Sequence, residues 1–220
     1  MSKTQAHTVY KLSDGTRVPS VTTYLGVLNK PAIIHWAWEQ GAAGLDYRKV
    51  RDQAGDTGSL VHYRILSALE GVDVDLLATY HPNDIATTVV PMKKFAAWLR
   101  EHEVAPILLE TPMVSEAHRF GGTPDYYGLD NHKLTLLDFK TSGAVYPENF
   151  YQLAAYKKLL EEHGYEVESA RVVRISKIVD EAFEDRPAGN LENAWKIFLA
   201  CQQIYELQKA SRRTLQEKEE

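Results

Sequence analysis

The 220-residue sequence contains one cysteine, Cys201, which excludes a disulfide framework within the chain and an iron–sulfur cluster held on several of its own thiolates. No apolar run approaches the ~20 residues that span a bilayer, and the opening MSKTQAHTVYKL lacks the apolar core of a signal peptide. Those absences lead to the expectation of a cytoplasmic protein with no membrane partner. Positive charge is not in excess: 25 Lys and Arg stand against 30 Asp and Glu, a formal charge of −5. Such a chain cannot coat nucleic acid by bulk charge, so any contact with it must use a local groove or bound cations. A G-x-x-x-x-G-K-[ST] loop is missing and the 13 glycines form no dinucleotide fingerprint, which excludes a P-loop motor within this chain. Repeats are also missing, and the one biased segment is the charged tail RRTLQEKEE, expected to fray into solvent.

What is present is an ordinary globular composition, 44% hydrophobic and 25% charged, at a length that suits one domain. Tyr10-Lys11-Leu12, the Asp14-Gly15 turn and Arg17-Val18-Pro19 read as a hairpin. Ser20 stands at a helix N-cap position ahead of VTTYLGVL. Pro31 fits the first helical position of AIIHWAWEQGAAGLDYRKVRDQ, whose two glycines argue against one unbroken helix. Thr57 is the expected cap of a helix ending at Gly71, and a further helix is expected over 84–103, kinked or split at Pro91. After His102 the period changes to three β-rich segments, ILLETPMVSEA, RFGGTPDYYGLD and KLTLLDFKTS, read as three antiparallel strands. A helix from Pro147 to Gly164, a strand ESARVVRIS, an edge strand over 177–183 and a last helix over 191–208 complete the pattern. The fold class is α+β, a central mixed β-sheet flanked by helices with a helical N-terminal region.

Chemistry concentrates on two adjacent predicted strands. Residues two apart on a strand share a face, so Asp138 and Lys140 project together while Phe139 turns into the core. Antiparallel pairing across Leu129-Asp130-Asn131-His132 brings Asp125 alongside Asp138. Two adjacent carboxylates repel unless a cation lies between them, and hard oxygen ligands favour Mg²⁺ or Mn²⁺. Taken alone, the same residues also fit a solvated hairpin with two exposed aspartates.

The company these residues keep resembles the PD-(D/E)XK nuclease superfamily, and within it the RecB-like exonucleases. Thr123-Pro124-Asp125 and Asp138-Phe139-Lys140-Thr141-Ser142 match the two halves of the signature, Gln152-Leu153-Ala154-Ala155-Tyr156 matches Q-x-x-x-Y, and Gly58-Ser59-Leu60-Val61-His62 is similar to the helical G-x-x-x-H. Glu110 occupies the place of an additional acidic residue. Val18-Pro19-Ser20-Val21-Thr22 resembles the P-S-V-T segment of phage-type and mitochondrial genome maintenance exonucleases. The match covers roughly residues 62–174, and each motif is short, but five in order weigh more than any one.

The resemblance implies a restriction-endonuclease-like αβββαβ core over 105–210, preceded by a hairpin and helical part over 1–104 and followed by the tail 211–220. It implies a phage-type, metal-dependent DNA exonuclease of replication, recombination or repair, acting on single-stranded or end-bearing DNA, with a recombination or replication protein as a possible partner. Mg²⁺ or Mn²⁺ would be held by His62, Asp125, Asp138, the Phe139 carbonyl and Glu110. Lys140 would position the attacking water or meet developing charge, with Gln152 on a phosphate oxygen or on Lys140 and Tyr156 beside it. Ser20 and Thr22 read by themselves as a cap and a polar helix residue; the resemblance adds hydroxyls near the metal site or a DNA phosphate. A histidine such as His62, taken alone, is more often a core or boundary residue than a ligand; Gln152 and Tyr156 alone fit a boundary helix face, and Glu110 fits a surface carboxylate as well as a ligand. Lys93, Lys94, Lys157 and Arg174 are the candidate basic lining. Trp36, Trp38, Trp98 and Trp195 read as core anchors, with one of the first pair able to stack a base. Two rivals remain: an endonuclease or junction resolvase of the same fold, and a non-catalytic nucleic-acid-binding module, against which the intact Asp, Asp, Lys set argues.

Overall fold

The computed structural model describes residues 8–216, so the expectations for the first seven residues and the last four lie outside the described residues. The expected hairpin forms from β1 (Tyr10–Lys11) and β2 (Arg17–Val18), followed by α1 (Val21–Leu25). Ser20 caps α1 by accepting the Thr23 amide at 3.1 Å. Next come α2 (Pro31–Ala42) and α3 (Tyr47–Glu70), broken apart at Gly44, whose φ of 74° few other residues adopt. Thr57 is not a cap: Asp46 caps α3 through the Arg48 amide, and Thr57 lies inside the helix. Gly71 ends α3 in the left-handed region, as expected. Pro91 sits in the first turn of α5 (Val89–Leu99), split from α4 (Pro82–Thr87) at Thr88.

Two of the three expected β segments are each two strands. Glu110, at φ 39°, separates β3 (Val104–Leu109) from β4 (Met113–Ser115). Thr123-Pro124-Asp125 separates β5 (Phe120–Gly122) from β6 (Tyr126–Asp130), because Pro124 has no amide for the ladder. β4 and β5 form their own two-stranded sheet. β6 continues into β7 (Lys133–Lys140), then α6 (Pro147–Glu162) and β8 (Ser169–Arg174). The edge strand is β9 (Glu184–Pro187) rather than 177–183. That stretch is instead a loop tied by Glu181, which accepts bonds from Arg174 at 2.8 Å and Ser176 at 2.6 Å. The last helix, α7 (Glu192–Gln216), runs longer than expected, so the tail is helical as far as Gln216.

The protein is mixed α+β. A five-stranded sheet in the order β3-β6-β7-β8-β9 is antiparallel except for the parallel pair β7–β8. Its central strands are covered on both faces, and alternate residues enter two cores. Tyr127, Leu136 and Val172 join Leu153, Leu159 and Phe198 under α1, α6 and α7. Tyr126, Leu137, Phe139 and Val173 join Val61, Ile65, Phe95 and Trp98 under α3 and α5. Cys201 is buried in the first core as a small apolar residue. Among the described residues no helix is long and apolar enough to cross a membrane.

The tryptophans divide. Trp98 is fully buried, stacks on His102 with ring centroids 4.2 Å apart, and donates from Nε1 to Asp185 at 2.8 Å. Trp195 packs half-buried on Phe198. The expected core role fails for the pair on α2: that helix buries no residue, and Trp38 is 67% exposed. Trp98→Ala should therefore cost about 3–5 kcal/mol of stability, whereas Trp38→Ala should stay within roughly 0.5 kcal/mol of the parent. Urea unfolding of the two variants measures the contrast, and equal losses would contradict this division.

Candidate active site

Strand register gathers the candidate residues. Leu109 pairs with Tyr126, and Tyr126 with Leu137, while Lys140 lies beside Arg174 on the parallel neighbour. The end of β3, the start of β6 and the ends of β7 and β8 therefore share one sheet edge. Glu110, Asp125, Asp138–Lys140 and the loop after β8 follow one another across it.

Asp138 is completely buried, which removes the reading of a solvated hairpin with two exposed aspartates. It lies between Leu137 and Phe139, both core residues, and shares the α6 face of the sheet with Leu136. Lys140 donates to Oδ1 at 2.8 Å, and its Nζ also lies 2.7 Å from Oδ2. The second approach is not aligned as a hydrogen bond, and Oδ2 has no hydrogen-bond partner among the described residues. Burial pushes the Asp138 carboxyl up to about 6; Lys140 opposes the rise and Asp125 adds to it. Desolvation pulls the Lys140 ammonium down, but Asp138 and Asp125 outweigh it and leave Lys140 above the ordinary lysine value. Asp125 is held in place by the Phe139 amide, which donates to its Oδ2 at 2.8 Å across the β6–β7 pair.

α3 closes over this edge. A Cβ on Gly58 would lie 3.0 Å from the Thr141 hydroxyl, so the glycine lets the helix approach the end of β7. One turn later, on the same helix face, His62 brings Nδ1 to 3.8 Å from Asp125 Oδ2. A cleft of about 570 Å³ opens between helix and edge, lined by His62, Glu110, Asp125 and Lys140, with Ser59, Thr141, Ser142 and Lys177 also on its wall. Glu110 is exposed overall, yet desolvation, then Asp125, raises its carboxyl while His62 opposes.

Asp138 and Phe139 lie behind the cleft wall rather than on it, and the remaining candidates also lie outside the lining. Gln152 donates to the Tyr156 hydroxyl at 2.7 Å, so the pair is one unit on α6. Tyr156 is buried, and its hydroxyl is raised well above the ordinary value by desolvation, then by Asp138 and Asp125. A Cβ on Gly122 would meet the Tyr156 ring at 2.7 Å, so this tyrosine supports the strand that leads to Asp125. Ser20 bridges to Gly121 on that strand, Gly121 donates to the Pro19 carbonyl at 3.0 Å, and Ser20 Oγ lies 3.0 Å from Thr22 Oγ1. Tyr10 Oη lies 2.7 Å from Thr123 Oγ1. The Pro19–Thr22 segment thus braces the Thr123-Pro124-Asp125 turn.

The expected basic lining needs correction. Arg174 is spent on Glu181 and Glu184, each at 2.8 Å, Lys94 donates to the Ile178 carbonyl, and neither Lys93 nor Lys157 lines the cleft. The second cation there is Lys177, which sequence reasoning missed by assigning it to an edge strand. Its signal was positional: it lies three residues beyond a strand parallel to β7, at carboxyl strand ends where open sheets receive ligands.

No protein-family model matches the chain, and no curated protein matches it significantly. Among the described residues no three His, Cys, Asp or Glu side chains already form a metal cage. Mg²⁺ does not need one, because it keeps several waters and binds through one or two carboxylates. Asp138 Oδ2, which accepts no aligned hydrogen bond and lies beside Asp125, fits a hard divalent cation. His62, Glu110 and the Phe139 carbonyl would complete the ligand set.

A cation binds the Asp138 carboxylate, not the acid, so binding below about pH 6 must release a proton. Mn²⁺ affinity measured by calorimetry between pH 5 and 8 should fall below that value, approaching about tenfold per pH unit, and level off above it. An affinity independent of pH through this range would contradict Asp138 as a ligand.

Proposed function

We propose that the protein is a Mg²⁺- or Mn²⁺-dependent DNA exonuclease with PD-(D/E)XK chemistry, of the RecB-like, phage-type branch. In this reading the sheet and its helices form a restriction-endonuclease-like core, and the protein acts in the cytoplasm on single-stranded or end-bearing DNA, with a replication or recombination partner. The observation that carries the reading is the fully buried Asp138, hydrogen-bonded to Lys140 and next to Asp125, at the strand ends that α3 covers. The Gln152–Tyr156 unit and the helical cover bearing His62 favour the exonuclease over an endonuclease of the same fold.

A bound Mg²⁺ or Mn²⁺ would supply an acidified water and neutralise charge on the scissile phosphate. Asp125 and Asp138 hold charge opposite the incoming cation. The Phe139 amide fixes one Asp125 oxygen, so that carboxylate enters the reaction preoriented. Lys140 keeps its proton, because both aspartates stabilise the ammonium. It can therefore donate to the attacking oxygen or to charge growing on the phosphate.

Lys140→Ala should lower turnover by roughly 10²-fold or more while DNA binding persists, the scale of losing one positioned donor. Asp125→Ala or Asp138→Ala should abolish both Mn²⁺ binding and cleavage. Near-normal cleavage by folded Lys140→Ala protein, or unchanged Mn²⁺ binding in either aspartate variant, would refute these roles.

His62→Ala should be impaired at low Mn²⁺ and recover partly as the metal is raised, since imidazole suits manganese better than magnesium. A metal-titration curve matching the parent's at every concentration would make His62 a structural residue.

A further inference from the structure

Lys177 is the charged residue in the cleft that the proposed chemistry leaves unused. It is half-buried, and its ammonium makes one hydrogen bond, to the Ala54 carbonyl at 3.2 Å. Lysine carries three N–H donors, so two are left for a ligand. Among the described residues no carboxylate pairs with it; burial alone accounts for the lowering of its pKa. By contrast, Arg171 and Arg174 on the adjoining strand, and Lys140 in the same cleft, are each matched to an acidic side chain. A desolvated cation without a counter-charge is costly to hold unless an anion arrives.

Its place in the sheet defines what that anion is. Across the edge, the acidic groups Glu110 and Asp125 come from the β3 and β6 side, while Lys140 and Lys177 come from β7 and the loop after β8. The Thr141 hydroxyl follows Lys140, and Ser59 faces the same space from α3, while the Ser142 hydroxyl donates to the Ala144 carbonyl at 2.8 Å. A cation-binding half thus adjoins a half of ammonium and hydroxyl donors, the chemistry that recognises phosphate.

We propose that Lys177, with Ser59 and Thr141, forms a subsite for a backbone phosphate next to the scissile one. The subsite holds the strand in register, so Lys177 is a positioning residue rather than a catalytic one. This inference rests on the nuclease reading above.

The test uses the full-length protein, Mn²⁺ and short single-stranded oligonucleotides in which one phosphodiester at a time is replaced by a neutral methylphosphonate. Lys177→Gln should raise KM about tenfold, with the loss falling in KM rather than in kcat, the scale of one hydrogen bond to a charged group. The salt dependence of binding should flatten by roughly 0.7 in logarithmic slope, the share of one phosphate contact on a single strand. Lys177→Arg should restore most of the affinity. One methylphosphonate flanking the cleavage point should weaken the parent about tenfold and add nothing to the weakness of Lys177→Gln. If the parent cleaves but Lys177→Gln matches it in KM and salt slope, or the two losses simply add at every position, the subsite is refuted and the nuclease reading stands. If the parent cleaves no substrate, both are refuted.

Discussion

Everything at the candidate site depends on one costly arrangement, a carboxylate buried beneath a sheet edge with a lysine as its main partner. Removing a carboxylate and an ammonium from water costs several kcal/mol per ion, and their attraction offsets this only with good geometry and further hydrogen bonds. Asp138 lacks the last of these, since Oδ2 accepts none. Oδ2 is left with the ion-pair contact to Lys140 alone, an arrangement that a core chosen for stability alone would avoid. Such strain concentrates where a ligand relieves it.

The surrounding fold makes the arrangement tolerable. Leu136, Leu137 and Phe139 are buried on both faces of β7, so the strand cannot slide to expose Asp138 without exposing its neighbours. Trp98 and Phe95 pack edge-on against Phe139 from α5, with centroids 5.9 and 5.8 Å from its ring. On the other face, Tyr156 leans on Gly122 and feels both aspartates. The N-terminal hairpin reaches the same turn through Tyr10 and Thr123. Elements distant in sequence converge on the few residues that aim Asp125.

Local rules made much of this legible in the sequence. The two-residue period of a strand placed Asp138 with Lys140 and Phe139 in the core, and the turn at Asp130–His132 set Asp125 against Asp138. Ser20, Gly71 and Pro147 marked their helix boundaries through capping and proline chemistry. The misses arose where tertiary contacts override a local pattern. Thr57 resembles a cap, yet the helix continues through it because Asp46 caps earlier. Residues 177–183 are apolar enough for a strand, but the Arg174–Glu181–Ser176 cluster folds them into a loop and turns Lys177 to the cleft. The apolar sequence of α2 suggests a core helix, and nothing local reveals that it buries no residue.

The proposed activity is hydrolysis of DNA from its ends, at this sheet edge, with a divalent cation. Its most direct test is digestion of matched linear and circular single-stranded DNA by the parent protein in Mn²⁺, with Asp138→Asn and a chelator as controls. The expected result is progressive loss of the linear strand, persistence of the circle, and no loss of either in both controls. Survival of the linear strand across Mg²⁺ and Mn²⁺ concentrations, or cleavage unaffected by Asp138→Asn, would contradict it.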